Sequence, residues 1–158
     1  MRTMRRQRTD NWTISEIFLD LLQDKLLNFQ KFYDLSIEER DALKCENTAA
    51  LARILKDKSK LQQKINQTDH QIHRLESRYP QFVKQMNEEQ KVEMTGTIQL
   101  VIELLQNIID YEENNKQIAQ KQKLVIQNDL RQVNQGNKLL KSYLGKPIEN
   151  ARYLDKAH

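Results

Sequence analysis

Glycine and proline are scarce in this 158-residue chain, at three and two residues, and aromatic residues make up 6% of it. A many-stranded sheet draws on glycine and proline at its turns and on aromatics along its strands, so this composition excludes one as the main architecture. A single cysteine, Cys45, rules out an internal disulfide and points to a reducing compartment, the cytoplasm. With no histidine nearby to activate it, Cys45 reads as a small, buried or half-buried apolar residue. No apolar run approaches the roughly 18–20 residues that span a bilayer, so integral membrane insertion is not expected.

The marks of catalysis are missing too. There is no glycine-rich loop to cradle phosphate and no His-Glu-x-x-His spacing. His70 and His73 stand one helical turn apart beside Asp69, without a cysteine cluster to complete a metal site, and read as surface histidines. Glu88, Glu89 and Glu93 fall in an expected connector, so the paired Glu-x-x-His motifs of a di-metal bundle are absent. The expectation is a protein that is not an enzyme, with no catalytic residues, metal or cofactor.

Charge is plentiful, at 30% of residues, but unevenly placed. Arg2, Arg5, Arg6 and Arg8 account for the whole net charge of +4; the other basic residues match the 22 acidic ones. Residues 1–12 are therefore expected to form a flexible basic start, and 13–158 a single helical domain. Further along, residues 82–113 hold seven acidic and two basic side chains, whereas 114–146 hold seven basic ones and only Asp129.

Apolar residues recur at helical spacing in three segments. The first, about 14–43, carries Ile14, Ile17, Phe18, Leu21, Leu22, Phe29 and Phe32, with Thr13 and Glu16 as a capping box. Ser36 followed by Ile37, Glu38 and Glu39 also resembles a new helix start and marks an expected interruption. The second, about 50–76, runs through Leu51, Ile54, Leu55, Leu61, Ile65, Ile72 and Leu75 after a cap at Asn47 or Thr48. Lys58, Thr68 and Tyr79 occupy seam positions there, loosening the coiled-coil pattern. Pro80 and Gly96 bracket a connector, and the third segment, 97–144, would be a helix of roughly 72 Å at 1.5 Å per residue. The fold class expected is all-α, an elongated antiparallel helical hairpin or three-helix bundle with coiled-coil-like packing.

The third segment changes character midway. Ile98, Val101, Ile102, Leu105, Ile108 and Ile109 make a clean stripe expected to pack in the core. Beyond Asn114 the aliphatics are set among Gln and Asn side chains, which pack a private core less decisively and can hydrogen-bond adaptably. This half is the expected partner face: Ile118, Val125, Ile126, Leu130 and Val133, extended by Leu140 and Tyr143. Nucleic acid is the less expected partner, because among the lysines of this half aromatics for base stacking enter only at Tyr143 and Tyr153.

The order of these segments resembles the flagellar type III export chaperones of the FlgN and FliT kind. The opening LLQDKLLNFQKFYDLSIEERDAL leads into ENTAALARILKDKSKLQQKI, similar to the family's polar cap and Lys-containing helix, and NQGNKLLKSYLG is similar to its terminal Asn and Leu-Leu stretch. The tail at Tyr153 resembles a Tyr-x-x-x-Gly ending, with Ala157 at the glycine position. The resemblance implies a cytoplasmic chaperone, transiently at the membrane-bound export apparatus, that binds a flagellar axial protein of the filament-cap or hook–filament junction type. It implies client capture by the long C-terminal helix and contact with the export gate through Tyr143 and Tyr153. An uncovered stripe also admits a homodimer. The residues alone leave open a nonenzymatic coiled-coil scaffold or a nucleic-acid-binding helical protein.

Overall fold

Thr13 and Asn47 open the first two helices because each side-chain oxygen accepts a backbone N–H three residues on, Glu16 at 3.3 Å and Ala50 at 3.1 Å. The structure, a computed structural model, describes residues 13–144; the arginine-rich start lies outside the described residues. These residues form α1 (Ile14–Lys44), α2 (Thr48–Arg78), a 3-10 turn (Phe82–Gln85) and α3 (Glu88–Leu144), with no strand among them. The fold is an all-α helical bundle, as the composition predicts.

Two boundaries differ from expectation. Ser36 does not interrupt α1. Its hydroxyl lies 3.0 Å from the Phe32 carbonyl and 2.7 Å from Glu112 Oε1, so its hydrogen-bonding need is met without opening a new helix start. The expected connector over 80–96 is also shorter. Asn87 and Gln90 form a reciprocal box, the Gln90 N–H donating to Asn87 Oδ1 at 2.8 Å and the Asn87 N–H to Gln90 Oε1 at 3.1 Å. Glu88 and Glu89 therefore stand in the first turn of α3, where the helix dipole favours carboxylates, and Glu93 follows on the helix. Gly96 is an interior residue of α3, with open space where a Cβ would sit.

The α1–α2 turn is a Schellman motif. The Asn47 N–H donates to the Ala42 carbonyl at 2.9 Å and the Glu46 N–H to Leu43 at 3.2 Å, while Glu46 takes a left-handed φ of 53°. Cys45, at the helix cap, is exposed rather than buried, because the turn carries it off the apolar seam.

Polar contacts set the helix directions. Lys25 pairs with Asp69 at 2.7 Å and Glu38 with Arg53 at 3.5 Å, so α2 runs antiparallel to α1. Gln23 donates to Thr97 at 3.0 Å, and Ser36 meets Glu112 farther along both helices, so the first half of α3 runs parallel to α1. Within α2, Ile54, Lys58, Leu61, Ile65 and Thr68 are buried at alternating spacings of four and three, so the helix presents a heptad seam despite its polar members.

One end of the bundle is closed by Phe18, Leu19 and Leu22 of α1 against Phe82 and Met86 of the connector, with Ile14, Ile72, Leu75 and Met94 around them. The Phe18 and Phe82 rings lie 4.7 Å apart, tilted by 56°. Each buried side chain of this kind stabilises by about 1.5–3 kcal/mol, an upper figure because the unfolded chain is itself partly collapsed. The chain divides between Asn115 and Lys116 into two units, the first holding α1, α2 and the opening half of α3, the second the remainder of that helix.

Candidate functional site

In the first unit α3 turns Thr97, Val101, Ile108 and Asn115 inward, all buried. These positions are four and seven residues apart, one face of a helix. The adjoining row, Ile98, Ile102, Leu105 and Ile109, is exposed, with Ile102 at 56% and Ile109 at 53%. The expected core stripe of 98–109 is thus two rows, of which one is buried. A signal was present in the doublets Val101–Ile102, Leu104–Leu105 and Ile108–Ile109. A helix side packed on one neighbour buries only one member of each adjacent pair, since consecutive residues diverge by about 100°.

The second unit carries all seven predicted partner-binding residues. Val125, Ile126, Leu130, Val133 and Leu140 are all exposed, and Ile118 is half-buried. Helical spacing divides them into neighbouring rows: Ile118 with Val125, and Ile126 with Leu130, Val133 and Leu140. Leu124 and Leu139, not among the predicted set, add exposed apolar surface. Tyr143 lies within α3. Its side chain and the whole of Tyr153 fall outside the described residues, and the predicted export-gate contact with them.

Where α1, α2 and α3 meet, the first unit holds a buried polar layer that sequence reasoning missed apart from Lys58. The Lys58 ammonium pairs with Glu39 of α1 and Glu112 of α3 and sits 4.9 Å from the Phe32 ring centroid. Asn115, 2% exposed, donates through Nδ2 to the Ser36 carbonyl at 3.0 Å, while its Oδ1 has no hydrogen-bond partner. Tyr33 and Tyr111 stack edge-on at 5.3 Å beside this layer. Desolvation first, and then the neighbouring Tyr111, holds the Tyr33 phenol above its ordinary pKa. Glu39 and Glu112 were hidden from a periodicity argument because both count as polar residues on amphipathic helices. Their inward placement depends on which neighbour each helix meets.

This layer fits a structural role, since its lysine is enclosed by two carboxylates and a ring. Among the described residues no group of three or more His, Cys, Asp or Glu side chains is placed to hold a metal ion. His70 and His73 are exposed on α2. No described helix is long and apolar enough to cross a membrane. Most of the exposed large apolar side chains among the described residues lie on α3. No protein-family model, curated protein or solved structure matches this chain.

Proposed function

We propose that this chain is a noncatalytic binding protein of the flagellar export chaperone kind, which holds an amphipathic helix of an axial protein along α3 and releases it at the export apparatus. The observation that carries the reading is the exposed row Ile126, Leu130, Val133 and Leu140, set among Gln and Asn side chains on a helix. An amphipathic client helix would lay its own apolar face on that row, the helix-in-groove mode of recognition. The surrounding amides supply adaptable donors and acceptors at the rim. The family character of the client rests on the sequence resemblance alone. A nonenzymatic coiled-coil scaffold is the second reading, favoured by the heptad spacing of the same row.

The test is direct binding of purified filament-cap and hook–filament junction proteins, after nuclease treatment. A complex is expected, with affinity weakened at least about tenfold by combined Leu130→Ala and Val133→Ala, because each buried aliphatic contributes about 1.5–3 kcal/mol. Circular dichroism should be unchanged. Failure of every axial protein to bind, or retention only of salt-sensitive RNA, would sink the proposal.

A further inference from the structure

The exposed rows on the two halves of α3 share one heptad phase. Ile102, Leu105 and Ile109 in the first half and Ile126, Leu130 and Val133 in the second follow the same alternation of three and four residues. Between them the phase passes through Glu112, Lys116, Ala119 and Lys123. That is the period of a coiled-coil seam, and it is distinct from the row that carries Val101 and Ile108 into the bundle.

Charge decides what fits it. Residues 88–113 hold seven acidic side chains and one lysine, whereas 116–141 hold six basic ones and one aspartate. A second α3 laid antiparallel brings the acidic half of each helix onto the basic half of the other. A parallel, in-register partner would instead set Glu112, Lys116 and Lys123 against their own counterparts across the seam, and like charges facing each other cost stability. An antiparallel pair is also self-complementary, as a two-fold interface requires.

We propose that two copies of this chain associate antiparallel along α3, the aliphatic row of one helix's first half covered by that of the other's second half. In the register that matches aliphatic with aliphatic, Ile109 meets Ile126 of the second copy, Leu105 meets Leu130 and Ile102 meets Val133. Glu112, whose side chain is 38% exposed, then faces Lys123 of the second copy. A slip of one heptad would place Leu105 on Lys123 and Ile109 on Ala119, giving up apolar contact in both layers. The pairing covers the row assigned above to a client helix, so a client displaces the second copy, and it does not depend on the identity of that client.

Light scattering and sedimentation equilibrium on the full chain should give twice 18.9 kDa. Ile102→Glu should raise the dimer dissociation constant more than about tenfold, since it forces a charge into each copy of an apolar seam, and leave the helical signal intact because Ile102 is exposed. Orientation is read in a Cys45→Ser background. Chains carrying Ile102→Cys, mixed with chains carrying Val133→Cys, should form a disulfide-linked dimer that neither forms alone. A monomer, a link between identical variants, a dimer without the mixed link, or a link within one chain carrying both cysteines would each overturn the proposal.

Discussion

The apolar end of the bundle and the charged layer of the same unit are held by different physics. At the end, Phe18, Leu19, Leu22, Phe82 and Met86 exclude water without directional bonds, so what matters there is volume. In the layer, Ser36, Glu39, Lys58, Glu112 and Asn115 each require a particular partner at a particular height on a neighbouring helix. Sliding one helix by a turn would leave the end a greasy contact of similar area but would leave the layer with unpaired buried charge. The end therefore supplies net stability, and the layer supplies choice among alignments.

The comparison breaks most visibly at Lys58. Lys58→Ala leaves two carboxylates facing each other and should cost about 3–5 kcal/mol in urea unfolding. A triple replacement, Glu39→Leu, Lys58→Met and Glu112→Leu, should recover most of that loss, since an apolar layer of similar volume has no charge to desolvate. Persistence of the full loss in the triple variant would show that the layer contributes stability beyond charge balance.

At the apolar end, Leu19→Ala should cost about 2–5 kcal/mol, for Leu19 is 1% exposed and the hole cannot drain to the surface. Leu19→Met should cost less than about 1.5 kcal/mol because it nearly conserves volume. Equal losses would mean that the end depends on shape as strictly as the layer depends on partners.

The helix caps set a smaller scale. Thr13→Ala, beside the apolar end, should lower stability by about 1 kcal/mol, because one N–H loses its acceptor. Smallest of all, Gly96→Ala, on α3 between the two regions, should raise stability by about 0.5–1 kcal/mol, as nothing beyond its own turn of helix stands within 4 Å of the added methyl group. A loss at Gly96 would reveal packing on that surface in solution.

Periodicity and capping chemistry made most of the architecture legible. Thr13 and Asn47 cap where their side chains said they would, and Ile54, Leu61 and Ile65 are buried on the expected stripe. The start of α3 was legible in principle from Asn87 and Gln90, but Gly96 drew the boundary later because a lone glycine was read as punctuation. Phe82 and Met86 sit in a connector, where no periodicity singles out a core residue. For the candidate surface, the amide-rich half of α3 pointed to Ile126, Leu130 and Val133, all exposed. The uncovered Ile102 and Ile109 escaped because a hydrophobic pattern counts apolar residues and not the neighbours available to cover them.

The turn at Asn47 has a mechanical consequence. Its backbone N–H closes α1 on Ala42 while its side chain opens α2 on Ala50, so one residue is shared by two helices with no slack between them. Such a joint works like a keyed shaft. One extra residue inserted after Glu46 would rotate all of α2 by about 100° about its axis unless the turn unravelled to absorb it. Lys58 would then swing away from Glu39 and Glu112 together. The angular setting of an entire helix, and with it the alignment of three, is transmitted through a single asparagine far from the layer it serves.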